Sequence, residues 1–187
     1  TAYASHGDTK QVLLFPSTPL ECFNMTADAF DLAERLQTPI ILMSDLDLGM
    51  NDNMSAPFKW DDAREYDRGK VLTAEDLENM EDFGRYKDVD NDALTYRTYP
   101  GTHPTKGSFF TRGTSRDEYA VYTESGEIYE RNMHRLMAKW ETAKSYVPAP
   151  ELTPSSQSTD YGVIFYGTSE ASSLEALDYL AEEGVYI

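Results

Sequence analysis

The sequence predicts an α/β chain built on a parallel sheet, and three observations predict it. Two short apolar runs flank one well-capped amphipathic helix near the start, a second strand–helix pattern opens after residue 161, and a long polar stretch with its own helix separates the two. Val12 to Phe15 is an apolar run stopped by Pro16, and Pro39-Ile40-Ile41-Leu42-Met43 is another; both read as buried strands. Between them, Thr18 stands at an N-cap, Pro19 at the first helical position and Glu21 at the third, as a capping box requires. Cys22, Phe23, Thr26, Ala29, Phe30, Ala33 and Leu36 then recur at helical spacing and define an apolar face. Strand, helix, strand with continuously apolar strands is a βαβ unit of a parallel sheet, with a right-handed crossover.

From Asp45 to about Asp92 the pattern dissolves into a polar connection, with one short helix expected over Ala74 to Met80 behind a Thr73 cap. A long helix follows from about Gly126 to Ala143, its packing stripe Tyr129, Met133, Leu136, Trp140 and Ala143. Residues 145–160 are rich in proline, serine and threonine and read as an interdomain linker. Gly162 to Gly167 then predicts a strand, Ser169 to Glu182 a helix closed by Gly184, and Val185 the opening of another strand. The chain starts without methionine and stops on apolar residues, so it reads as a piece of a larger polypeptide.

Composition narrows the function. The net charge of −17 argues against nucleic acid as a partner, because phosphate neutralisation needs cations over a broad face. Cys22 is the single cysteine, which excludes an internal disulfide, a cysteine-based zinc site and an iron–sulfur cluster held by this chain alone, and fits a cytoplasmic location. No apolar run approaches the roughly 20 residues of a membrane helix, so no membrane is expected as a partner.

Against this acidic background, no carboxylate stands between Asp92 and Asp117, while Arg97, His103, Lys106, Arg112 and Arg116 fall in that window. Pro100, Gly101, Pro104, Gly107 and Gly113 make it a shaped loop, so it reads as a candidate anion-binding site. The same cations could instead neutralise acidic neighbours. Ser5-His6-Gly7 precedes the first strand and offers a loop histidine able to approach a substrate. Asp88-Val89-Asp90-Asn91-Asp92 imitates a calcium loop, but Ala93 stands where the turn wants glycine and Tyr99 where a glutamate should close the shell, so it reads as a solvated acidic turn. No phosphate-loop or dinucleotide fingerprint is present.

Taken in order, several segments resemble the alpha subunit of bacterial 2-oxoacid:ferredoxin oxidoreductases, most closely the 2-oxoglutarate type. They include Ser5 to Asp8, Phe15 to Phe23, Ser44 to Asn51, Arg68 to Leu72, Phe83 to Asp88 and the block from Tyr96 to Tyr119; Pro100-Gly101-Thr102-His103-Pro104 with Phe110-Thr111-Arg112-Gly113 is the most specific part. The resemblance implies an enzyme that decarboxylates a 2-oxoacid, makes the acyl-CoA and passes two electrons through an iron–sulfur cluster to ferredoxin. It places residues 1–47 in the C-terminal part of a thiamine diphosphate pyrimidine-binding domain, 48–144 in a connecting segment, 145–160 in the linker and 161–187 at the start of a transketolase C-terminal-like α/β domain. It implies thiamine diphosphate with magnesium and a 4Fe-4S cluster in the complete enzyme, none of them held by this chain alone. A beta subunit, ferredoxin, coenzyme A and a 2-oxoacid are the implied partners; pyruvate or a branched-chain 2-oxoacid is the alternative substrate, and a non-catalytic α/β binding module the alternative role. Substrate contacts are expected from Ser5, His6, Gly7, Arg97, His103, Lys106 and Arg112.

Overall fold

The structure, a computed structural model, describes residues 1–6 and 9–187. Strand β1 (Val12–Leu14), helix α1 (Pro19–Leu36) and strand β2 (Ile40–Leu42) form the expected unit, with the strands paired parallel in the register Val12 to Ile40 and Leu14 to Leu42. Thr18 Oγ1 accepts from the Glu21 amide at 3.2 Å, as the cap requires. The reciprocal bond is shifted by one residue: Glu21 Oε2 accepts from the amide and the hydroxyl of Ser17, both at 2.7 Å.

The face that α1 buries shares Ala29 and Leu36 with the expected one but turns away from Phe23 and Phe30. Leu32 and Leu36 are buried, with Met25 and Ala29 packed beside them, against Val12, Leu14, Leu94 and Ala143. Phe23 and Phe30 lie on the adjoining face, where Phe30 is exposed and Phe23 stacks on Phe58 at 5.1 Å with Trp60 edge-on. Apolar residues occupy two neighbouring stripes of α1; the sheet takes one, and the connection takes part of the other.

That connection is held to α1 mainly by charge. Arg64 reaches Asp28 at 2.9 Å and Asp31 at 2.7 Å, and Arg35 reaches Asp67 at 2.7 Å. Gly69, at φ +66°, passes so close to α1 that a Cβ there would lie 2.8 Å from the Glu34 carbonyl oxygen. A five-residue helix α2 (Leu46–Met50), capped by Asp45, was not legible, because five residues carry no period. The short helix expected after Thr73 is present as α3 (Ala74–Asn79), with both halves of its capping box formed through Asp76. The acidic turn is neutralised from within: Lys70 Nζ donates to Asp90 at 2.6 Å and to Asp92 at 2.8 Å.

Helix α4 (Gly126–Ala143) has the expected bounds, but its packed side is more polar than its stripe predicted. Tyr129 is exposed, while Lys139 is buried, donating to the Leu36 carbonyl at 3.3 Å and to the Thr38 hydroxyl. Helix α5 (Ser169–Glu182) closes at Gly184, φ +81°, where the Val185 amide donates to the Leu180 carbonyl at 2.8 Å. Residues 162–167 and 185–187 form no strand here, because among the described residues no neighbouring segment supplies the ladder they need. The start of α5 meets the carboxyl ends of the sheet: Thr168 Oγ1 donates to Asp45 Oδ2 at 2.5 Å, and the Phe15 and Tyr166 rings lie 4.8 Å apart. No helix among the described residues is long and apolar enough to cross a membrane.

Burial, with Arg135 and Arg85 nearby, pulls the Lys139 ammonium down from its ordinary 10.5 to about 8. Its folded value lies below its unfolded one, so between pH 8 and 10.5 the unfolded chain holds more protons and stability rises with pH. Urea unfolding at pH 7, 8, 9 and 10 should show that rise, and Lys139→Met should remove it; an identical pH profile in the variant would contradict it.

Candidate functional site

The basic loop is built on α3. Leu77 is the buried anchor of that helix, and Gly107, at φ +76°, lies against it so closely that a Cβ would sit 2.8 Å from Leu77 Cδ1 and 2.9 Å from Thr98 Cγ2. Thr98 Oγ1 donates to the Gly107 carbonyl at 2.6 Å and closes the base, while the Thr102 amide and hydroxyl both donate to the Tyr99 carbonyl at the tip. The closed loop encloses a cavity of about 290 Å³, with Tyr99, His103, Lys106 and Phe109 in its wall.

The expected ligand residues have these positions. His103 Nδ1 accepts from the amides of Thr105 at 3.1 Å and Lys106 at 2.9 Å, so Nε2 is the nitrogen that carries hydrogen, and it donates to Glu78 Oε1 at 2.6 Å. Lys106 Nζ donates to Glu78 Oε2 at 3.1 Å and to the Leu77 carbonyl at 3.0 Å. The His103 bond, then Lys106, holds the Glu78 carboxyl below its ordinary range. Arg97 pairs with Glu34 on α1 and donates to the Arg68 carbonyl at 2.9 Å. Arg116 donates to the Gly113 carbonyl at 2.8 Å. Arg112 makes no ion pair among the described residues; its guanidinium lies 5.3 Å over the Tyr122 ring.

The window without carboxylates is therefore not a field of free positive charge: folding brings Glu34 and Glu78 into it from outside. His103 and Lys106 come together on one carboxylate, while Arg97 is fixed to α1 and Arg112 is held apart. Ser5 Oγ donates to Gln11 Oε1 at 3.0 Å, and His6 is exposed. Gly7 lies outside the described residues. Cys22 is half-buried, and burial followed by the charges of Glu21 and Asp45 pushes its thiol up, which suits a structural thiol. Sequence reasoning missed Glu78; the signal available was a carboxylate in the last turn of a short capped helix, too common to single out.

Set beside solved structures, the fold matches 2-oxoglutarate:ferredoxin oxidoreductase from Magnetococcus marinus, a structure with 2-oxoglutarate, coenzyme A and succinyl-CoA bound, with a TM-score of 0.76 and 21% identity over 98% of this chain and 30% of that one. The α/β class read from the sequence is thus the class of that enzyme's corresponding part. Sequence relatives carry the match from fold to subunit. Subunit alpha of 2-oxoacid:ferredoxin oxidoreductase 1 of Aeropyrum pernix is 30% identical over 195 residues, and that of oxidoreductase 2 from the same organism is 26% identical over 186. The 2-oxoglutarate synthase subunit KorA of Archaeoglobus fulgidus is 26% identical over 186 residues. Each alignment covers 98% of this chain, but only 28% of the Aeropyrum subunits and 42% of the Archaeoglobus one. No protein-family model matches. The chain is a homologue, over nearly its whole length, of 2-oxoacid:ferredoxin oxidoreductase alpha subunits, and spans less than half of any of these three.

The loop's closure generates a stability prediction. Gly107→Ala sets a side chain both at positive φ and against Leu77 and Thr98, and should cost about 1–3 kcal/mol. Comparison with Gly101→Ala separates the two effects, since Gly101 also has positive φ but meets nothing within 4 Å. Chemical denaturation should show the larger loss at Gly107; equal losses would mean that backbone strain alone is at work.

Proposed function

We propose that the chain is part of the catalytic alpha subunit of a 2-oxoacid:ferredoxin oxidoreductase that acts on 2-oxoglutarate. The observation that carries this reading is homology to such subunits over 98% of the chain. The KorA relative and the bound 2-oxoglutarate of the Magnetococcus enzyme favour that substrate. The Aeropyrum relatives carry the broader 2-oxoacid name, which supports a wider substrate range, pyruvate included, as the second reading.

The reaction loses the 2-oxoacid carboxyl as carbon dioxide, joins the remaining acyl carbon to the sulfur of coenzyme A and passes two electrons to ferredoxin. On this reading residues 1–47 close a pyrimidine-binding domain, 48–144 connect it through the linker, 145–160, to a transketolase C-terminal-like domain starting at 161, a beta subunit completes the enzyme, and the location is cytoplasmic. When bound, thiamine diphosphate with magnesium supplies the decarboxylation chemistry and a 4Fe-4S cluster the electron path. A 4Fe-4S cluster takes four thiolates and Cys22 is the single cysteine, so the cluster's ligands are assigned outside this chain; among the described residues no three His, Cys, Asp or Glu side chains gather to hold a metal. No step is assigned to either group through this chain.

Within this chain the proposed work is positioning an anionic substrate. Arg112, without an ion pair among the described residues, has a guanidinium suited to a bidentate grip on a carboxylate. Arg97, His103 and Lys106 meet an anion only by giving up Glu34 or Glu78, and otherwise shape the loop; Ser5, His6 and Gly7 are assigned to the approach.

In the complete enzyme, Arg112→Met should lower kcat/KM for 2-oxoglutarate about ten- to a hundredfold while leaving a monocarboxylic 2-oxoacid nearly unchanged. An equal fall for both substrates, with a raised KM for coenzyme A, would move Arg112 to the thioester carrier. No fall in either would remove it from the site. A purified enzyme that turns over pyruvate faster than 2-oxoglutarate would decide for the second reading.

A further inference from the structure

A cleft of about 340 Å³ lies between α4, the turn entering β2 and the segment 85–95, lined by Arg85, Arg135 and Lys139 together with Thr38, Thr95 and Trp140. Its three cations differ from half of the chain's sixteen lysines and arginines, eight of which make an ion pair among the described residues. The sequence holds 33 carboxylates against 16 lysines and arginines, and Arg35, Arg64, Lys70, Lys87, Arg97 and Lys106 all have acidic partners. Among the described residues, none of the three in the cleft makes an ion pair. Lys139 is only 9% exposed. Its neighbours donate to neutral oxygens: Arg85 Nη1 to the Thr95 hydroxyl at 2.9 Å, and Arg135 Nη1 to the Ala93 carbonyl at 3.0 Å. Arg135 Nε is buried without a hydrogen-bond partner among the described residues.

Burying like charges together without a counter-charge is costly, and the cost shows in the groups themselves. Desolvation lowers the pKa of both arginines, and desolvation followed by repulsion from Arg135 and Arg85 lowers that of Lys139. Among the described residues, Asp88 is the carboxylate whose field opposes this at Arg135, without forming a salt bridge there; its Oδ2 accepts from the Ala93 amide at 3.0 Å, and its Oδ1 is buried without a hydrogen-bond partner. Lys10 at the mouth adds a further positive charge. Leu36, Leu94 and Leu136 give the cleft an apolar wall that strengthens any charge pairing inside it.

We propose that this cleft is a binding site for a small oxyanion, a carboxylate or phosphate group of a diffusible molecule, gripped by Arg85, Arg135 and Lys139. The guanidinium forks suit planar or tetrahedral oxygen groups, and the ammonium adds a point charge. The volume is near the lower end of small-ligand pockets, about 300 Å³, so the molecule is small. The proposal rests on this cleft alone and not on the reaction assigned above.

The test is thermal unfolding of the complete purified protein titrated with phosphate, and separately with succinate, against chloride at matched ionic strength. A saturable rise in Tm with phosphate or succinate, absent with chloride, is expected, and the stronger of the two identifies the group preferred. Lys139→Met should keep or raise Tm in chloride and weaken the apparent affinity about tenfold or more. Arg85→Gln, at a less buried position, gives the same readout should Lys139→Met not fold. No specific rise in the unmodified protein, or an undiminished rise in the variants, overturns the proposal. A fall in Tm for Lys139→Met with no response to either anion also overturns it, because the cleft would then be filled by a carboxylate of the protein assembly itself.

Discussion

The pairing of Arg97 with Glu34 is the constraint on which the layout of this chain depends. Two strands of three residues cannot bury enough apolar surface to organise the segments that follow them. At Arg97 three parts meet. The side chain joins α1 through Glu34 and the Arg68 carbonyl, and the backbone bridges Val71, with hydrogen bonds of 2.9 Å to Leu72 and Lys70. The loop that begins there is thereby aimed from a fixed base. Removing the guanidinium would leave Glu34 partly buried without its charge partner and free the connection from the helix at the same point, so this arginine cannot be read as a ligand residue without reading it first as a tie.

Local signals in the sequence were reliable wherever the physics is local. Thr18-Pro19-x-Glu21 and Thr73 marked helix starts because a cap is satisfied by residues within one turn, and Gly184 marked a helix end because only its left-handed φ lets the last carbonyls be reached. The failures share the opposite character. Residues 162–167 have the composition of a strand, but a strand exists only with a partner, which is a property of the surroundings. The buried face of α1 was partly misplaced because Phe23 and Phe30 are more apolar than Ala29 and yet lie off the sheet.

Charge was the least legible quantity. Counting along the chain made residues 93–116 a positive island, whereas in space Glu34 and Glu78, from α1 and α3, sit against Arg97, His103 and Lys106. Pairings separated by 63 and 28 residues leave no trace in a local window. The loop kept its shape in the sequence, through its prolines and glycines, but not its electrostatics.

The same reasoning explains why Arg85, Arg135 and Lys139 went unnoticed. On α4, Arg135 and Lys139 stand one turn apart, the spacing that ordinarily marks a solvated face, and Leu136 with Trp140 on the adjoining stripe supplied a sufficient apolar face. What reverses the reading is that the turn entering β2 closes over them, so that Lys139 reaches the Leu36 carbonyl and Thr38 across 103 and 101 residues. A cation placed there for stability would be matched with one of the abundant carboxylates, as Lys70 is with Asp90 and Asp92. Three cations in one cleft with no ion pair among the described residues are instead a destabilising arrangement, which the proposed oxyanion would offset.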